Sequence, residues 1–124
     1  MPKPKVQPQH TDAWRALADE VVAREKGVER GKMMSSDAVT LGGKVFAFHT
    51  TKGRFEGLGL RLGRDYDVES LGLTAWEHLA PFRSKPPMLD WVLVGADDID
   101  RWPELASIAL ERMRESTRGT KGTT

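Results

Sequence analysis

Histidine is the first residue type to test for chemistry, because an imidazole near neutral pKa is the usual proton shuttle and metal ligand. His10, His49 and His78 are the histidines of this 124-residue chain. No two have the spacing of H-x-x-x-H or H-E-x-x-H that sets two rings on one helix face, so no metal site is expected. Each is read as an ordinary surface or packing residue. The chain has no cysteine, which excludes disulfides, thiolate metal sites and cysteine nucleophiles. Asp97, Asp98 and Asp100 suggest a divalent-ion loop but lack the glycine and distal glutamate of one. They fit better as acidic residues at a helix start, where the dipole favours them, and Asp65 and Asp67 fit likewise. Ser35, Ser36 and Ser84 lie outside any G-x-S-x-G setting. Gly57-Leu58-Gly59 continues a strand rather than opening a helix, and Gly42-Gly43-Lys44 lacks the rest of a phosphate loop. Acid, base and nucleophile are nowhere assembled. The chain is therefore expected to be non-enzymatic, with no cofactor.

Features suited to binding are easier to find. The formal net charge is +1, but residues 24–64 carry nine basic side chains against four acidic ones, and residues 65–115 five against eleven. Such a bipolar chain can turn a basic face to an anionic partner while staying near neutral overall. Arg30, Lys32, Lys44, Arg61, Arg83 and Lys85 are the candidate phosphate- or partner-binding residues, chosen on charge alone. Prolines 81, 86 and 87 stiffen the Arg83/Lys85 loop, which also carries Phe82, and a pre-ordered loop loses little entropy on binding. Gly57 and Gly59, flanked by Phe55 and Arg61, leave one strand face bare. Either a partner or a helix can approach the backbone closely there.

These residues must be positioned by elements that the periodicity defines. The first ten residues include three prolines and read as a disordered lead-in. Thr11 and Asp12 offer capping side chains to a helix whose buried stripe is Trp14, Leu17, Ala18, Val21 and Val22, ending near Gly27. Strands are expected over 28–35, 38–41, 44–50 and 54–62. Ser36-Asp37, Gly42-Gly43 and Lys52-Gly53 are the expected turns between them. A short helix follows over 64–71, stopped at Gly72, and two further strands cover 74–79 and 88–94. A long helix then buries Ile99, Trp102, Leu105, Ala106, Ala109, Leu110 and Met113, with Pro103 tolerated in its first turn. The tryptophans at 14, 76, 91 and 102 are read as core. The order is helix, antiparallel meander, short helix, two strands, long helix. That implies an α+β domain over 11–116 with helices on one face of the sheet, and a flexible tail from 117 to 124. No apolar run approaches the ~20 residues of a membrane span, and the amino terminus has no apolar signal region. A cytoplasmic location without membrane association is the expectation.

Lys32-Met33-Met34-Ser35-Ser36-Asp37-Ala38-Val39-Thr40-Leu41-Gly42-Gly43-Lys44-Val45-Phe46-Ala47 resembles the hairpin of the TfoX N-terminal and MmcQ/YjbR-like proteins. Their pattern runs Met-Phe-Gly-Ser, a small apolar stretch, then Gly-Lys-x-Phe-Ala. This chain departs from it at Met34 and Ser35. Pro87-Met88-Leu89-Asp90-Trp91-Val92 is similar to their Pro-Met-x-x-Trp-Val strand, and Trp102–Leu110 looks like their closing helix. The resemblance implies a secretion-chaperone-like or frataxin-like fold and brings a DNA-binding label. It carries no catalytic residues. Three functional expectations stand together. One is a regulatory module associated with DNA. Another is a protein-interaction or homodimerisation domain using the sheet face or an edge. The third, a small-molecule binder or enzyme, needs a pocket.

Overall fold

Leu58 and Leu60 alternate with Gly57 and Gly59 in sequence, and period-two alternation of this kind is what an extended backbone with one buried face requires. The computed structural model describes residues 10–33, 36–50, 56–80 and 84–122, with side chains of the last helix described as far as 115. Helix α1 (Thr11–Arg24) leads into strands β1 (Val28–Met33), β2 (Ser36–Leu41), β3 (Lys44–Thr50) and β4 (Gly57–Arg61). A 3-10 turn at Val68–Leu71 precedes β5 (Trp76–Leu79) and β6 (Met88–Gly95), and a second at Ala96–Arg101 leads into α2 (Trp102–Gly122). The strands form one six-stranded antiparallel sheet in the order β1-β2-β3-β4-β6-β5. The fold is α+β, with the expected element order.

The β2–β3 hairpin turns on Gly42 and Gly43, with φ of 59° and 84°. Two successive left-handed residues make the primed turn that matches strand twist, and glycine takes that conformation without a Cβ penalty. Within the same hairpin, the register shifts by a residue between Val39 and Thr40, which pair with Ala47 and Val45. The unpaired Phe46 is a bulge, so Phe46 and Ala47 both enter the helix-side core although they are adjacent.

That core joins the apolar stripes of both helices to one sheet face. Trp14, Phe46, Leu58, Leu60, Trp102 and Leu105 are all fully buried in it. Truncating Trp14 or Trp102 to alanine costs about 3–5 kcal/mol at a site of this kind. A second, smaller cluster lies on the opposite face, where Ala38, Phe48, Leu79, Trp91 and Leu93 pack with Met33 and Val45. The tryptophans divide accordingly. Trp14 and Trp102 belong to the helix side, Trp91 to the far side, and Trp76 is half-buried at the sheet edge.

Several expected boundaries move. Ser36 and Asp37 are not a turn but open β2, paired with Met33 and Lys32. Helix α1 is not capped by Thr11 or Asp12. Its N-cap is His10, and no side chain of the capping position bonds there. The Glu56 carboxylate takes that role from across the fold, accepting the His10 backbone N–H at 3.2 and 3.0 Å. A carboxylate beside a helix N-terminus satisfies an orphan donor and the dipole together. Asp98 does more than start a helix, because it is buried and accepts the Thr74 N–H at 2.8 Å and the Thr74 hydroxyl at 3.0 Å. Helix α2 runs on to Gly122, past the boundary expected at 116; no proline interrupts its hydrogen-bond ladder there. The expected strand residues 34, 35, 54 and 55, the Lys52-Gly53 turn and Pro81, Phe82 and Arg83 lie outside the described residues.

Candidate functional site

The five charge-selected residues that the structure describes do not converge. Arg30 and Lys32 sit on the edge strand β1, Lys44 opens β3, Arg61 closes β4, and Lys85 lies between β5 and β6 at the other side of the sheet. With strands about 4.8 Å apart, the strands of Arg30 and Arg61 alone are separated by about 14 Å. Arg30 is already engaged, bonding Asp19 on α1 at 2.7 Å and also Asp37. Lys32 lies 4.0 Å from the same Asp37 carboxylate. Burial works to raise the pKa of Asp37, but hydrogen bonds from Trp14 and Arg30 outweigh it and hold the carboxyl below its usual value. Lys44 and Lys85 are exposed, and Arg83 lies outside the described residues.

Two other cations of residues 24–64 are paired in the same manner. Arg24 bonds Glu20 and Glu25, each at 2.9 Å, and Arg64 lies 3.7 Å from Asp90. Arg114 of α2 reaches Glu25 at 2.7 Å. Its hydrogen bond, with that of Arg24, holds the Glu25 carboxyl below its usual value.

A cleft opens where β4 ends and β6 begins. The ladder continues past Arg61, because the N–H groups of Leu62 and Gly63 both donate to the Asp90 carbonyl, at 3.0 and 3.1 Å. Arg112 on α2 closes the other side, donating from Nε to the Leu62 carbonyl and from Nη2 to Asp65, each at 2.7 Å. Its guanidinium also lies 5.2 Å from the centre of the Tyr66 ring. The resulting space measures about 430 Å³ and is lined chiefly by Arg61, Arg64, Asp65, Asp90, Arg112 and Met113. Arg61 differs from its two arginine neighbours. Its Nη1 points at the Met113 sulfur, 3.8 Å away, and among the described residues no carboxylate stands within ion-pair distance of it. Met88 and Leu89, directly before Asp90, are 39% and 42% exposed, the large hydrophobic side chains most open to solvent among the described residues.

A second arrangement is buried. His49 Nε2 lies 2.6 Å from Glu56 Oε2, with the two side chains only 9% and 6% exposed. The His49 ring stacks on Trp14 at 6.1 Å and lies 6.3 Å from Trp102. A carboxylate holding an imidazole is the geometry of a general-base dyad. Here, however, indoles flank the ring, and the carboxylate is shared with the His10 N–H. The pair fastens α1 to the sheet. His49 was legible only as a histidine near the end of the expected strand over 44–50, and Glu56 gave no signal beyond its charge.

The bare face at Gly57 and Gly59 is not bare. The Phe48 ring lies over Gly59, close enough that a Cβ at 59 would fall 2.6 Å from its Cδ1. Phe48 in turn packs edge-on against Trp91, ring centres 5.5 Å apart. The close approach that glycine permits is therefore used by an aromatic ring of the chain itself, neither by a helix nor by a partner. With Ala38, Phe48, Leu79, Trp91 and Leu93 each at most 7% exposed, this part of the sheet face offers a partner little to touch.

Among the described residues no three His, Asp or Glu side chains stand together as a metal site, and no helix is long and apolar enough to cross a membrane. No family model, curated protein or solved structure matches the chain.

Proposed function

We propose that the chain is a non-enzymatic protein-interaction module that docks a short apolar segment of another protein on the first residues of β6. The observation that carries this reading is the exposure of Met88 and Leu89, adjacent side chains on a strand held between β4 and β5. A pre-formed strand end loses little entropy on binding, and Pro86 and Pro87 restrict the chain that leads into it. Methionine adapts to irregular apolar partners. Two side chains offer far less than the ~800 Å² per partner of a stable protein interface. The occupant is thus a short, transiently bound segment rather than a second copy of this chain. The pairing of Arg24, Arg30 and Arg64 with carboxylates weighs against the DNA-associated reading that the TfoX-like motifs bring, since duplex binding draws on uncompensated cations.

A photo-crosslinking residue at position 89 tests this inside the native cell, with the same residue at Lys44 as the control. A discrete protein adduct from position 89, absent from position 44 and lost on Met88→Ser, is the expected result. Equal labelling from both positions overturns the docking site. Labelled duplex DNA supplies the other arm. Binding that weakens log-linearly with salt and disappears on reversing Arg83 and Lys85 would make nucleic acid the partner instead.

A further inference from the structure

We propose that the cleft between β4, β6 and α2 is a carboxylate-binding site with the Arg61 guanidinium as its anchor. A guanidinium presents five N–H donors in a planar fork that matches a carboxylate through two parallel bonds. Arg112 has spent its fork on the Leu62 carbonyl and Asp65, and Arg64 faces Asp90. Among the described residues Arg61 has only the Met113 thioether, a weak acceptor. It is half-buried in the cleft wall, where a cation without an anionic partner is costly and an incoming anion correspondingly favoured.

The other wall residues select the anion. Asp65, Asp90 and Glu115 line the same space, so the three arginines and three acidic residues cancel. With the wall charges otherwise balanced, the single unpaired guanidinium neutralises a monoanionic carboxylate but leaves one charge of a phosphate dianion without a partner. The volume of about 430 Å³ falls in the range of small-molecule sites, about 300–1,000 Å³. It therefore admits a carboxylate on a body of several carbons. The carboxylate can arrive on a free small molecule or on an acidic side chain of a docked peptide. The inference does not rest on the docking of a partner at Met88 and Leu89, because it is tested with no partner present.

The experiment is an NMR titration of the full chain at constant ionic strength, following the Arg61 Nε–H and the Gly63 amide. The probes are sodium butyrate, an acetylated and amidated dipeptide with a single aspartyl side chain, inorganic phosphate and chloride. Saturable shifts at both groups with butyrate or the peptide, at least tenfold tighter than with phosphate, are expected. Tighter saturation by butyrate assigns a free carboxylate, and tighter saturation by the peptide assigns a side chain. Arg61→Gln should abolish the shifts, Arg61→Lys should weaken them several-fold while keeping the charge, and Arg64→Gln should leave them within twofold. Phosphate binding as tightly as the carboxylates overturns the selectivity. Unsaturated shifts with every probe, or undiminished binding in Arg61→Gln and Arg61→Lys, overturn the site.

Discussion

Gly59→Ala places one methyl group where the Phe48 ring already lies. A Cβ built there falls 2.6 Å from Cδ1 and closer still to Cζ and Cε1, far inside van der Waals contact. Gly59 does not hold a positive φ, so the backbone itself accepts alanine, and replacing glycine then stabilises by about 0.4–1 kcal/mol through the unfolded chain. Against that stands the displacement of a ring that is 2% exposed and packed on Trp91. Forcing a methyl group into a filled core costs about 1–3 kcal/mol. The steric cost wins, and the net destabilisation is about 1–2 kcal/mol. In urea, with a slope of about 2 kcal/mol/M, the midpoint falls by about 0.5–1 M. The decisive measurement is the double-mutant cycle with Phe48→Leu, which takes the ring away. Once it is gone, alanine at 59 should be neutral or stabilising, giving a coupling of about 1–2 kcal/mol between the two sites. If Gly59→Ala costs the same in both backgrounds, the reasoning that Phe48 owns the glycine's open space is wrong.

Two further perturbations test the attachment of α1. Glu56→Ala strands the buried His49 ring nitrogen and the His10 N–H, which costs about 2–3 kcal/mol. Chemical denaturation should show that loss, while the exposed Glu69→Ala stays within about 0.5 kcal/mol of the parent. Asp37→Asn weakens the contacts with Trp14 and Arg30 and lowers stability at neutral pH by about 1 kcal/mol, discounted for partial exposure. Since the Asp37 pKa is lowered in the fold, its contribution is present above the unfolded value of about 3.9 and lost as pH falls through the folded one. The parent should therefore lose more stability than Asp37→Asn between pH ~5 and pH ~2. Parallel acid-denaturation curves would contradict that assignment.

How much was legible in the sequence differs between fold and site. The apolar stripes of α1 and α2, the glycine pair of the β2–β3 turn and the leucine alternation of β4 were readable because each rests on a local period or a local backbone need. The short turn before Gly72 and the strand from Met88 were readable for the same reason. The start of α1 was readable but its cap was not, because the capping carboxylate comes from Glu56, distant in sequence. The role of Asp98 was understated because its partner is Thr74, on a different loop. Among the site candidates, Arg30 and Lys32 were chosen on charge, and charge alone does not show that Asp19 and Asp37 stand within reach.

By itself the sequence determined the α+β class, the order of the elements and the residues of the helix-side core, because hydrophobic period follows from backbone geometry within one element. Only the tertiary structure decided which cations are spent and which remain. Arg61, Arg64 and Arg112 are alike as residues, yet folding gives two of them carboxylate partners and leaves Arg61 facing a thioether in a cleft. Tertiary packing also decided that Phe48 rather than a partner covers Gly59. Both outcomes turn on distances between groups far apart along the chain, and such distances exist only once the strands have paired and α2 has packed across them.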